Sequence, residues 1–184
     1  MTNVFIIHGS YGNPSENWFP WLKEELEKKG CSVFAPKLPT PKDQCLENWQ
    51  NVFSKYDHYL TRDSIVVGHS LGVAFLLNIL ERIEHKIKAA FLVSGFCEQL
   101  NSSRFDKINK TFIKRFDYAR IMSKCDRFFV YHSDNDPYVP LSIANNLAQN
   151  LGVKVILIKN AGHINKESGY TKFKELFDDI THIL

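Results

Sequence analysis

Short apolar runs alternate with amphipathic stretches along the whole chain. β-Branched and aromatic residues gather at residues 4–7, 32–35, 64–67, 89–93, 127–131 and 153–158, each run bounded by Gly, Pro, Asn, Asp or Ser, and they predict strands. Several of these runs are continuously apolar, as expected where helices cover both faces of a parallel sheet. The clearest helical pattern follows Ser70, where Val73, Leu76, Leu77, Leu80 and Ile83 form a stripe and Asn78, Glu81, Arg82 and Glu84 fall elsewhere. Further helices are predicted over residues 21–29, stopped by Gly30, and around 45–59, 141–150 and 170–183.

Strands alternating with helices throughout predict an α/β fold: a doubly wound, mostly parallel, three-layer sheet. Right-handed crossovers place every loop that follows a strand along one edge, and ligands bind there, outside the carboxyl ends of the strands. The residues at that edge are His8-Gly9-Ser10, Pro36-Lys37-Leu38, Gly68-His69-Ser70, Ser94-Gly95-Phe96, Ser133-Asp134-Asn135-Asp136 and Asn160-Ala161-Gly162-His163. A Ser, an Asp and a His stand at strand ends in that order.

Gly68-His69-Ser70-Leu71-Gly72 is a G-x-S-x-G sequence between a predicted strand and a predicted helix, the setting of a nucleophile elbow. The glycines have a steric reason, because side chains two residues either side of so tight a turn would collide. The turn lifts the Ser70 hydroxyl to the helix N-terminus, where the Leu71 amide and the helix dipole can face a developing oxyanion. A serine hydroxyl needs a base near neutral pH, and His163 is the best candidate. The base in turn needs an acceptor that sets its tautomer; Asp134 or Asp136 could supply it, and Asp136 is preferred because it opens a D-x-x-V-P turn. The second oxyanion donor is expected from the Ser10 amide in the loop after the first strand. The chain order Ser, Asp, His is that of α/β-hydrolases, and this chemistry needs no metal and no cofactor.

Composition adds bounds. The chain has 184 residues, 44% of them hydrophobic and 23% charged, which suits one domain over residues 1–184. A net charge of +3 is too balanced to argue for a nucleic-acid partner or a membrane surface. The four cysteines, Cys31, Cys45, Cys97 and Cys125, form no CxxC pair and no zinc spacing, so they read as reduced thiols. No basic, long apolar start and no membrane-length run is present, and the expectation is a soluble, cytoplasmic protein.

The whole chain resembles the small serine hydrolases of the α/β-hydrolase superfamily, in particular the family of retinoblastoma-binding protein 9 and the bacterial YdeN-like proteins. The resemblance rests on the HG loop near the start, Trp18-Phe19-Pro20-Trp21-Leu22, GHSLG at 68–72, Asp136-Pro137-Tyr138-Val139-Pro140, and Gly162-His163-Ile164-Asn165 followed by Ser168-Gly169. It implies a six-stranded sheet of order 2-1-3-4-5-6 with minimal or no cap. The expected activity is hydrolysis of a carboxylic ester, thioester or amide in a small-molecule or peptide substrate, through an acyl-serine; the oligomeric state is left open, a monomer being compatible with it. The competing reading is a binding module that keeps the fold. Its cheapest signature, an L-x-C-x-E peptide, is spoiled here by Asp43 in Asp43-Gln44-Cys45-Leu46-Glu47.

Two features carry weaker expectations. Trp18, Phe19 and Trp21 could line an acyl pocket, but aromatics at helical spacing are more often core. Residues 101–127 hold eight Lys or Arg against three Asp, a net +5 where α/β-hydrolases insert a cap. A solvated surface is the first reading of this segment and a rim attracting anions the second.

Overall fold

The computed structural model describes residues 2–184. All six apolar runs form strands: β1 (Asn3–Ile7), β2 (Ser32–Phe34), β3 (Ile65–His69), β4 (Ala89–Val93), β5 (Phe128–Ser133) and β6 (Val155–Ile158). They pair in parallel in the order β2-β1-β3-β4-β5-β6. The helices between them are α1 (Phe19–Lys28), α2 (Leu46–Phe53), α3 (Leu71–Arg82), α4 (Ser103–Asn109), α5 (Tyr118–Ser123), α6 (Leu141–Asn150) and α7 (Lys174–Thr181).

Alternation within each strand sends side chains to two cores, one on each face of the sheet. Phe5, Ile7, Val66, Ala90 and Leu92 join residues of α2, α3 and α6 on one face. Val4, Ile6, Ile65, Val67, Phe91 and Val93 join α1 and α7 on the other. Two buried faces explain why these strands lack a polar alternate. The helix α3 is buried from Leu71 to Leu80, well beyond the predicted stripe. Asn78 is inside as well, its amide donating to the Ala74 and Phe112 carbonyls at 2.8 and 2.9 Å. Phe75 lies 5.4 Å from Trp49 and 5.5 Å from Phe53 between ring centroids, so truncating it to Ala would cost about 3–5 kcal/mol.

Several element bounds differ from the expected ones. The predicted helix 45–59 splits into α2 and a 3₁₀ turn over Ser54–Tyr59. The last helix starts at Lys174 rather than 170, because Phe173 leaves the helical path, φ −130°, to bury its ring against Trp18 and Tyr131. Pro20 in the first turn of α1 brings the start forward to Phe19, and Gly30, at φ +85°, closes that helix in a left-handed conformation.

The connection from β4 to β5 holds only α4 and α5, a small cap. Asp106 braces its entry by accepting from the Leu100 and Ser102 amides at 2.8 and 2.9 Å. Phe112 and Phe116 anchor it in the core below. Winding reverses at β1, which lies between β2 and β3, so the crevice of the sheet opens above the ends of β1 and β3.

Candidate active site

The strand β3 ends at His69 and α3 begins at Leu71, leaving Ser70 alone to make the turn. Its backbone takes φ +56° and ψ −122°, a conformation that L-residues rarely adopt and that persists only where surroundings enforce it. They do so closely: a Cβ on Gly72 would sit 2.4 Å from the Ile7 carbonyl oxygen, and one on Gly68 would sit 2.8 Å from Leu76 Cδ1. A Cβ on Gly9 would come within 2.7 Å of Ser70 Cβ, so the loop after β1 lies directly against the elbow. The Ser70 amide is held by the Val93 carbonyl at 3.0 Å. Leu71 opens α3, where the first amides have no intrahelical acceptor.

His163 stands on the turn after β6, 93 residues beyond the elbow by number and beside it in space. Gly162, at φ +54°, makes the turn, and its amide donates to Asn135 Oδ1 at 2.8 Å. The Ser133 hydroxyl accepts from the Ala161 amide at 2.9 Å, so the loops after β5 and β6 are joined. The His163 ring donates from Nδ1 to Asp136 Oδ2 at 2.7 Å. Asp136 Oδ1 accepts from the Tyr138 and Val139 amides at 2.9 and 3.1 Å, so the same carboxylate also makes an Asx-type turn. Burial pushes the Asp136 carboxyl up, but the bond and charge of His163 and the two amides outweigh it and hold the group below the usual carboxylate range. The alternative acid, Asp134, instead accepts from the Asn160 amide at 2.7 Å.

Three further histidines are buried around these groups. His69 Nε2 donates to the His163 carbonyl at 2.9 Å, and burial first, then the neighbouring His163, pushes its pKa down to about 3. His132 Nε2 donates to the Val139 carbonyl at 2.9 Å and lies 3.8 Å from Asp136 Oδ2; burial lowers its pKa too. His8 accepts from the Leu38 amide at 3.0 Å through Nε2, and burial likewise favours its neutral form. All three are neutral braces for loops that carry the site.

Ser10, Ser70 and His163 line one cleft of about 510 Å³. The Ser70 hydroxyl has no hydrogen-bond partner among the described residues, and it shares this cleft with His163. The Ser10 hydroxyl donates to Asn109 Oδ1 at 2.8 Å, and Gln44 Nε2 donates to both, at 3.1 and 2.7 Å. The neighbouring Tyr11 amide donates to Thr40 Oγ1 at 2.7 Å. The loop after β1 is therefore tied on one side to the chain after β2 and on the other to α4.

Trp18, Phe19 and Trp21 do not line the cleft. Trp18 and Phe19 are buried beneath the sheet and Trp21 packs on Phe177, which settles that expectation in favour of core. The aromatics of the cleft are Tyr11, Phe96, Phe105 and Tyr138. Tyr11 and Tyr138 stood within the sequence motifs; Phe105 and Asn109 had no local signal, because only the cap's path brings them in. Among the described residues no group of His, Cys, Asp and Glu is placed to hold a metal, and no helix is long and apolar enough to cross a membrane.

The family model described as serine hydrolase matches residues 4–182. The Bacillus subtilis (strain 168) protein YdeN is 30% identical over 180 residues, which cover 97% of this chain and 94% of YdeN. The serine hydrolase RBBP9 of Rattus norvegicus is 23% identical across 100% of this chain and 96% of its own. The crystal structure of the B. subtilis ydeN gene product superposes with a TM-score of 0.92 at 29% identity, covering 100% of this chain and 98% of the other. Esterase PE8, 16% identical with a TM-score of 0.67 and coverage of 100% and 93%, shares the fold.

Proposed function

Because the chain belongs to the serine hydrolase family and is a hydrolase, we propose that Ser70 is its nucleophile, in a triad with His163 and Asp136. The observation that carries this reading is the 2.7 Å bond from His163 to Asp136, with His163 lining the same cleft as a strained Ser70.

The chemistry follows from the geometry. His163 holds its Nδ1 proton on Asp136, so Nε2 is the free base. It takes the Ser70 proton as Oγ attacks the carbonyl carbon of an ester, thioester or amide. The resulting oxyanion is met by the amides of Leu71, at the start of α3, and Ser10, in the loop after β1. His163 then gives the proton to the leaving group, and the acyl-serine remains. Water enters, loses a proton to His163 and attacks the acyl carbon; as the bond to Oγ breaks, His163 returns the proton to Ser70 and the acid is released. Asp136 stays ionised throughout, consistent with its depressed pKa, and stabilises the imidazolium each time it forms.

A fluorophosphonate probe tests this. The folded wild type should be labelled at Ser70, Ser70→Ala should not, and only the wild type should turn over short-chain 4-nitrophenyl esters. Equal labelling of the two proteins, or turnover surviving in Ser70→Ala, overturns the assignment.

A further inference from the structure

Of the eight basic residues in the segment 101–127, one lines the cleft: Arg104, in the first turn of α4. Others are spent elsewhere. Lys114 pairs with Glu81, and Arg120 and Lys124 pair with Glu84 on the outer surface. The guanidinium carbon of Arg104 lies 4.9 Å from the centre of the Tyr11 ring and 5.6 Å from that of Phe105. Its Nε donates to the Tyr11 hydroxyl at 3.4 Å. Two rings and one weak bond orient the group while its terminal nitrogens have no acceptor among the described residues.

The carboxylates nearby are engaged by neutral donors. Asp106, on the same helix, accepts two backbone amides. Across the cleft, Glu16 accepts from the Asn13 side chain and Glu167 from the Tyr138 hydroxyl. None of the three forms an ion pair with Arg104. Around it the wall is apolar, with Phe96, Leu100 and Phe105. A planar, pre-oriented guanidinium at the edge of an apolar wall is suited to a carboxylate at the far end of a hydrocarbon or aromatic unit.

We propose that Arg104 selects substrates bearing an anionic oxygen group, carboxylate-bearing acyl esters or amides, and so sets the substrate class of the Ser70 site. This rests on the reading of Ser70 as nucleophile. The anion can sit on the acyl group or on the leaving group; the chemistry of recognition is the same.

Matched ester pairs test it. The 4-nitrophenyl half-ester of glutarate and 4-nitrophenyl valerate differ only by carboxylate for methyl on the acyl side. Butyrate esters of 4-hydroxybenzoate and of its methyl ester do the same on the leaving side. In one pair at least, the ratio of kcat/KM for the anionic to the neutral ester should fall about tenfold in Arg104→Gln, mainly through KM, and be partly kept in Arg104→Lys. Added salt should lower the same ratio in the wild type. A ratio unchanged within twofold in both pairs overturns the proposal. So does a loss produced by Lys166→Gln but not Arg104→Gln, since Lys166 is the other cation lining the cleft. Ser70-dependent turnover of neutral esters with no role for Arg104 leaves the nucleophile standing and removes the substrate class. No Ser70-dependent turnover of any ester removes both.

Discussion

His163 and Asp136, 27 residues apart in sequence, meet at 2.7 Å between Nδ1 and Oδ2, while Asp134, two residues from Asp136, is turned to the Asn160 amide. The two acids therefore do different work: one sets an imidazole, the other braces a loop. Asp136→Asn should keep the fold and lower kcat by about 10³–10⁴-fold, because an amide can present a hydrogen to Nδ1 and stabilise the wrong tautomer. Asp134→Asn should lower it less than about tenfold, losing a charge-assisted bond to one amide. Ester turnover of the two variants decides, and the reverse ranking would transfer the role to Asp134.

The glycines of the elbow differ in what surrounds them. A methyl group on Gly72 would meet the carbonyl oxygens of Ile7 and His8 at 2.4 and 2.8 Å, both backbone atoms of a central strand and its exit. Gly72→Ala should therefore cost about 2–4 kcal/mol in urea unfolding. At Gly30 nothing lies within 4 Å, and only its φ of +85° resists a side chain. Gly30→Ala should cost about 1 kcal/mol. Equal losses at both sites would refute the close packing at the elbow.

Asn109 is buried and joins α4 to the loop after β1, the proposed source of an oxyanion donor, through Ser10 and Gln44. It acts through that loop, so it is a positioning residue. Asn109→Ala should reduce kcat about tenfold with little change in KM, and lower stability by about 1–3 kcal/mol because partners are left unsatisfied. The effect should be far less than additive with Ser10→Ala, which removes the same bond but leaves the Ser10 amide in place. A change confined to stability, with kcat intact, would reduce Asn109 to a purely structural role.

The buried histidines make stability depend on pH. His69 has a folded pKa of about 3, and burial lowers those of His8 and His132, against an unfolded value near 6.5. Below about pH 6.5 the unfolded chain binds protons that the folded chain refuses, so stability is full above that pH and falls as pH drops. Between about pH 6.5 and its folded value, His69 removes about 1.4 kcal/mol per pH unit, and His8 and His132 act in the same direction. The depressed pKa of Asp136 acts in the same direction but in a lower window, below about pH 4. Urea midpoints measured between pH 7 and 4.5 isolate the histidines, and His69→Gln should flatten the slope. An unchanged slope would mean that His69 takes up its proton in the native state.

The strands and the strand-turn-helix setting of Ser70 were legible in the sequence because both are written in local chemistry, whereas the strand order came from the family resemblance. Doubly buried strands need continuous apolar runs, and a strained turn between strand and helix needs small residues at 68 and 72. The position of His163, on a glycine-led turn after the last strand, was legible for the same reason. The choice between Asp134 and Asp136 was only half legible: the D-x-x-V-P turn singled out Asp136, but only the docking of the two loops shows which carboxylate reaches the ring.

The walls of the cleft were not legible. Trp18 and Phe19, conspicuous in the sequence, are buried on the far face because α1 packs there, while Phe105 reaches Tyr11 and Tyr138 across the cleft at ring distances of 6.4 and 6.0 Å. The small cap foreseen from chain length is present, yet it contributes Arg104, Phe105 and Asn109 to the cleft. What the sequence by itself determined is whatever depends on neighbours in the chain: the strands, most of the helices, the elbow and the order of its partners. What only the tertiary structure decided depends on contacts distant in sequence, such as Ser10 with Asn109, 99 residues apart, because the path of a loop is set by what it packs against.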